Sequence, residues 1–236
     1  MHVAALLPAY QAEAHLGPVL ARLARVHPAA DTLVVDDGSQ DATRAIAERA
    51  GVRVHAFAAN RGKGRALLEG FRLLGDYDGV VTLDADGQHP PECLPEFVRA
   101  AEAGADIALG VRARVGTMPA IRRLANGAAS GWASWLAGQT VGDSQCGYRL
   151  YRRRVLERTP ITPGRYEVET EIVVRAARLG FRVVTVPIPT VYADETSHIR
   201  TMHDVPRIFG VLARLTLEGA MPPAAMRRAA RTAATP

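Results

Sequence analysis

Asp84 and Asp86 stand one residue apart, with Gln88 two further on, in the stretch Val80-Val81-Thr82-Leu83-Asp84-Ala85-Asp86-Gly87-Gln88-His89-Pro90-Pro91. Two carboxylates and an amide oxygen are hard donors. They suit Mg²⁺ or Mn²⁺ and leave coordination positions for substrate phosphates. If strand geometry persists through Asp84, Ala85 and Asp86, both carboxylates fall on one side. The same residues could instead form a polar strand-to-helix turn, with Pro90-Pro91 opening the next helix. His89, before the prolines, reads as structural rather than catalytic.

A second group is Asn60-Arg61-Gly62-Lys63-Gly64. Of 29 lysines and arginines, Lys63 is the only lysine, and it lies between glycines. A loop that keeps lysine in so arginine-rich a chain needs a compact point charge rather than a planar fork. Gly62 and Gly64 let the backbone approach a ligand closely. The spacing is not that of a P-loop. A third group, Asp36-Asp37-Gly38-Ser39, could accept hydrogen bonds from a base or ribose, or could form a turn and cap a helix.

These groups need a scaffold. Runs at 2–7, 32–35, 52–57, 80–83, 105–109 and 181–186 read as strands, and a short strand is expected within 141–154. Helical spacing covers 16–26, 42–50, 64–74, 91–103, 121–136, 167–179 and 205–217. Alternating strands and helices predict a doubly wound, mainly parallel α/β sheet. The carboxyl edge of such a sheet is where ligands bind, and all three groups fall on it. We read residues 1–200 as a catalytic domain and 201–236 as an amphipathic helix with a basic tail. That helix, with Ile208, Phe209, Leu212 and Leu215, could pack on the domain or lie on a membrane.

Hydrophobic residues make up 48% of the 236-residue chain, enough for a sizeable core. The net charge of +5 favours anionic partners. Aromatics, at 6%, do not interleave with a basic cluster, which disfavours nucleic acid. Cys93 and Cys146 make neither a metal spacing nor a disulfide framework. With no leader-like start and no long apolar stretch, a cytoplasmic protein is expected, with peripheral membrane contact as an option.

Taken in order, these stretches resemble the family 2 glycosyltransferases with a GT-A fold, above all the dolichyl- and polyprenyl-phosphate mannosyltransferases. The resemblance runs from about Val3 to Ser197. It is carried by Leu7-Pro8-Ala9-Tyr10 with Glu13, by 35–41, 60–64, 84–92 and 110–112, by 143–149, and by Glu171-Ile172 with 184–188. It implies nucleotide-sugar contacts from Pro8, Tyr10, Glu13, Asp36, Asp37, Lys63 and Asp84. It implies a metal and diphosphate site at Asp84, Asp86 and Gln88, and a phosphate-facing Arg112. Arg122 or Arg123 would meet an acceptor phosphate. The chemistry implied is inverting transfer of a hexose from GDP-mannose, or alternatively a UDP-sugar, to a polyprenyl phosphate. Asp143 and Glu171 are the candidate bases should the acceptor be a neutral hydroxyl. A nucleotidyltransferase would need a Gly-rich loop after the first strand, which 8–13 lacks. A non-catalytic nucleotide-sugar-binding module would not need the intact Asp84, Asp86 and Gln88 set. The chain departs from the lipid-phosphate enzymes at 192–198, acidic here where they carry an Arg-rich segment. Trp132 and Trp135, beside the arginines at 112–123, suggest an apolar shelf next to a head-group site.

Overall fold

A computed structural model describes residues 1–112, 120–162, 168–189 and 201–219, with side chains from Leu124 and Arg207 onward in the helices that begin at Ala120 and Thr201. Its strands are β1 (Val3–Ala9), β2 (Thr32–Asp36), β3 (Arg53–Ala56), β4 (Gly79–Thr82), β5 (Ile107–Arg112), β6 (Arg149–Arg152) and β7 (Val183–Ile188). The helices are α1 (Leu16–Leu23), α2 (Thr43–Arg49), α3 (Lys63–Leu73), α4 (Leu94–Glu102), α5 (Ala120–Ala137), α6 (Arg153–Arg158), α7 (Val168–Arg178) and α8 (Thr201–Gly219). One sheet holds all these strands in the order β3-β2-β1-β4-β6-β5-β7. Neighbours are parallel except at β6, which runs antiparallel to both β4 and β5.

All of β1 and β2 is buried, which explains their unbroken apolar runs: a parallel sheet is covered on both faces. One face carries Leu6, Val80, Ile107 and Leu109 against α3, α5, α7 and α8. The other carries Leu7, Val81, Ala108 and Leu150 against α1, α2 and α4. In α1 the residues Leu16, Val19, Leu20 and Leu23 are those buried, as their spacing predicts. Truncating a fully buried leucine such as Leu6 should cost about 3 kcal/mol.

The sequence order turns back between β1 and β4, so their carboxyl ends open a crevice. The strand expected to stop before Pro8 runs on to Ala9. Ala9 O accepts from Asp37 N on the β2 side, so the alternating Pro8 nitrogen faces the β4 side. There the β1–β4 pairing has ended at Leu6 and Thr82, and no donor is missed. Helix α8 joins the common core through Ile208, Val211, Leu212 and Leu215, so these apolar residues are covered by protein. Among the described residues no helix is long and apolar enough to cross a membrane.

Candidate active site

The loops after β1 and β2 are tied together. Gln11 N donates to Ser39 Oγ, Ala12 N to Thr43 Oγ1, and Glu13 N to Asp41 Oδ2. The Glu13 carboxylate accepts in return from Ala42 N at 3.0 Å. Asp36 is buried and accepts from Ser39 N, closing a turn around Gly38. Gly38 has φ +76°, and a Cβ there would stand 2.5 Å from the Ala59 carbonyl carbon. That close approach brings in the next loop: Asp37 takes the backbone N–H groups of Arg61 and Gly62 at 2.7 and 2.8 Å. Tyr10 is left 46% exposed, an aromatic face open to a planar ligand.

That loop delivers Lys63 at the first turn of α3. Its ammonium lies 2.6 Å from Asp84 Oδ1 and 2.9 Å from Glu169 Oε2. Burial disfavours the Lys63 charge, but the two carboxylates outweigh it and raise the pKa above the usual lysine value. Burial likewise raises Asp84, and Lys63, with His89 and Arg112, more than reverses this, to about 2. Gly147 closes over the pair: a Cβ there would stand 2.7 Å from Asp84 Oδ2 and 2.9 Å from Lys63 Nζ. The second oxygen of Glu169, Oε1, is buried and has no hydrogen-bond partner among the described residues.

His89 Nδ1 accepts from Asp84 N at 3.2 Å, so the proton of the neutral ring is on Nε2, facing Cys146 Sγ at 3.7 Å. Burial pulls His89 down to about 4 and pushes Cys146 up to about 12. The strand β4 ends at Thr82, so Asp84 and Asp86 do not share a strand face as expected. Asp84 turns to Lys63, while Asp86 Oδ1 takes Gln88 N at 3.0 Å in a tight turn. Among the described residues no three His, Cys, Asp or Glu side chains converge as a closed metal site. Asp86 and Gln88 are half-buried hard-oxygen donors on one turn. A donor set this incomplete fits Mg²⁺ or Mn²⁺ that keeps positions for substrate phosphates.

Arg112, at the end of β5, makes a two-pronged pair with Asp143: Nε to Oδ2 at 2.8 Å and Nη2 to Oδ1 at 3.2 Å. Burial raises the Asp143 pKa, but Arg112 more than offsets this and holds it below the ordinary range. Arg149, fully buried, donates to the carbonyls of Ser144, Cys146 and Glu169 and fixes the loop 143–148 against the start of α7. Glu171 is not poised as a base. It is 1% exposed and holds Arg175 at 2.7 Å and Arg214 at 2.9 Å.

Residues 5–159 match the sequence pattern of Glycosyl transferase family 2. The chain belongs to that family. It is 35% identical over 198 residues to polyprenol monophosphomannose synthase of Mycolicibacterium smegmatis, covering 78% of this chain and 75% of the relative. It is 35% identical over 202 residues to undecaprenyl-phosphate mannosyltransferase of Micrococcus luteus, covering 80% and 83%. It is 36% identical over 189 residues to dolichyl-phosphate hexose transferase of Haloferax volcanii, covering 79% and 82%. The fold matches the crystal structure of glucosyl-3-phosphoglycerate synthase from Mycobacterium tuberculosis with Mn²⁺, uridine diphosphate and phosphoglyceric acid. The TM-score is 0.75 at 20% identity, over 94% of this chain and 80% of that one. The architecture is that of the GT-A glycosyltransferases.

In this glycosyltransferase the sheet edge gathers most of the residues that the sequence singles out. Lys63 and Asp84 are in direct contact. Pro8, Asp36 and Asp37 stand at adjacent strand ends, with Tyr10 and Glu13 in the loop after β1. Arg122 and Arg123 lie in the first turn of α5, but their side chains are outside the described residues, as is the acidic stretch at 192–198. Glu169 escaped sequence reading. It is one of several acids around the start of α7, and helical periodicity alone does not say which one turns toward Lys63.

Proposed function

We propose that this family 2 enzyme transfers a hexose, mannose in our reading, from a nucleoside diphosphate sugar to a polyprenyl or dolichyl phosphate, with inversion at the anomeric carbon. One observation carries the acceptor class. Both side chains that the sequence offers as base toward a neutral hydroxyl are committed to arginines, Asp143 to Arg112 and Glu171 to Arg175 and Arg214. A phosphate monoester arrives ionised and needs no base. Its likeness to three enzymes named for polyprenyl or dolichyl phosphates supports the same reading.

The residues then divide the work. Tyr10, Asp36 and the loop that Glu13 braces hold the base and ribose. Lys63 and Asp84 face the sugar and diphosphate, and Glu169 Oε1, lacking a donor among the described residues, accepts from a sugar hydroxyl. Arg112 spends Nε and Nη2 on Asp143 and turns its remaining Nη1 to a phosphate oxygen. Asp86 and Gln88 would hold Mg²⁺ or Mn²⁺, which when bound neutralises charge on the departing nucleoside diphosphate. The acceptor phosphate oxygen attacks the anomeric carbon from the side opposite the diphosphate, whose bonding electron pair leaves with it. No proton changes hands.

The test is mass spectrometry of products from GDP-mannose and UDP-glucose, each offered with a short-chain polyprenyl phosphate, the matching polyprenol and 3-phosphoglycerate. A polyprenyl phosphate hexose is the expected product. Product from the polyprenol or from 3-phosphoglycerate alone would overturn the acceptor assignment.

A further inference from the structure

A groove of about 520 Å³ runs down the flank of the sheet, between β3 and α3. The strand β3 is the edge of the sheet, so among the described residues no further strand covers this side. His55 and Phe57 alternate onto the β3 face that looks at α3. From α3 the groove takes Arg65, Leu68, Glu69 and Arg72, three, four and seven residues along, which is one helical face. Arg61 stands over the Phe57 ring, its Cζ 4.8 Å from the centroid. Phe57 and Leu68 pack on the core and give the groove an apolar wall. The groove is separate from the crevice: Tyr10, Asp36, Lys63 and Asp84 do not line it, and Arg72 is in the last turn of α3 where Lys63 is in the first.

Charge says what the groove would take. Glu69 is the one acid in its lining, and Arg72 already bonds both its oxygens, at 3.1 and 2.7 Å, with His55 3.7 Å away. Arg61 and Arg65 have no carboxylate within ion-pair distance among the described residues, so two guanidiniums are left over. Two arginines above an apolar wall complement a dianionic phosphate on an apolar body. The groove is also tied to the donor side. Asp37 holds the N–H groups of Arg61 and Gly62, and Lys63 follows with its bond to Asp84. A ligand that fixes Arg61 therefore steadies the loop that delivers Lys63. We propose that the groove between β3 and α3 is an effector site for a phosphate monoester with an apolar or planar body, and that its occupancy tightens donor binding in the crevice. The site is independent of the acceptor reading above.

The experiment titrates the full chain with phenyl phosphate while excess nucleoside diphosphate fills the crevice, and follows the histidine rings by NMR. His55→Gln identifies the His55 signal, which reports on the groove alone. That signal should move saturably, and Arg65→Glu should weaken the response at least tenfold while the thermal midpoint stays within a few degrees, since Arg65 is exposed. Phenol, which lacks the phosphate, should not move it. Calorimetry then measures nucleoside diphosphate binding with and without saturating phenyl phosphate: the wild type should gain threefold or more in affinity, and Arg65→Glu should gain nothing. Dihexanoyl phosphatidic acid, run beside phenyl phosphate, separates a lipid source of the monoester from a soluble one, and tighter binding of either supports the site. A His55 signal that stays put, or that moves equally with phenol or in Arg65→Glu, would overturn the site. An unchanged donor affinity with the groove filled would overturn its role as an effector site.

Discussion

The ammonium of Lys63 lies 2.6 Å from Asp84 Oδ1, so the first acid of the Asp-Ala-Asp sequence is bound to a lysine from the start of α3. Glu169 shares the same ammonium, and Gly147 presses on the pair. One cation therefore holds two carboxylates from separate elements in register. Lys63→Arg keeps the charge, but a fork does not fit between Gly147 and two acids. Calorimetry with the nucleoside diphosphate should show at least tenfold weaker binding. Lys63→Met leaves two facing carboxylates without a counterion, and denaturant unfolding should show a loss of about 3 kcal/mol. Wild-type affinity in the arginine variant would show that only charge matters there.

Gly147→Ala tests the same contact from the other side. The new Cβ would enter within 3 Å of both Asp84 and Lys63. The backbone cannot retreat easily, because Thr82 Oγ1 is bonded to Gly147 O at 2.9 Å. We expect turnover to fall on the order of a hundredfold, with a destabilisation of about 1–3 kcal/mol from overpacking. Near-normal kcat in a folded alanine variant would mean that the pair can shift without consequence.

Asp86→Asn preserves shape and removes a charged donor. It should lower kcat on the order of a hundredfold and leave the unfolding midpoint nearly unchanged, because Asp86 is only half-buried in its turn. Excess chelator should silence the wild type and Mg²⁺ or Mn²⁺ restore it. Full activity under chelation, or in the asparagine variant, would remove the metal assignment.

Asp143 gives the pH prediction. Arg112 holds its pKa below the unfolded value, so its contribution to stability is present above about pH 4 and is lost as pH falls through the lower folded pKa. Asp143→Asn should thus flatten acid unfolding below pH 4. It should also lower activity by loosening Arg112, without moving the pH–rate profile between pH 5 and 8, since an already ionised carboxylate is not the group that titrates there. A displaced acid limb in Asp143→Asn would restore Asp143 as a general base.

The strands, the parallel sheet and the helices other than α6 were legible because burial on both faces writes itself as short apolar runs with polar stops, as at Val34-Val35-Asp36 and Val81-Thr82; the six-residue α6 (Arg153–Arg158), with one buried residue, is too short and too charged to show that pattern. The antiparallel insertion of β6 was not, because Arg149–Arg152 carries charges and its direction depends on pairing partners far along the chain. Lys63 stood out by rarity, and the structure gives the reason in its two carboxylate partners. The split between Asp84 and Asp86 stayed hidden: strand alternation assumes that the strand continues, and here the turn begins at once. Glu169 was hidden for a related reason. Its role depends on Arg149 drawing the start of α7 toward the loop 143–148, a contact between residues 20 apart in sequence.

Arg122 and Arg123 carry the last prediction. They open α5, the helix whose Ser130 is bonded to Ser144 in the same loop as Asp143, so a hydrogen bond ties this helix to the loop that holds the partner of Arg112. Arginine's planar fork suits two-pronged binding of phosphate. If these residues serve the acceptor, Arg122→Ala with Arg123→Ala should raise the KM for a short-chain polyprenyl phosphate by tenfold or more. Affinity for the nucleoside diphosphate, measured by calorimetry, should change by less than about twofold. Arg112→Ala should differ in kind: it leaves Asp143 buried without its cation, weakens donor binding as well and lowers the unfolding free energy by roughly 3 kcal/mol. Steady-state titration of each substrate against each variant separates the two patterns. A double variant that used polyprenyl phosphate with wild-type KM would move the acceptor site away from the start of α5.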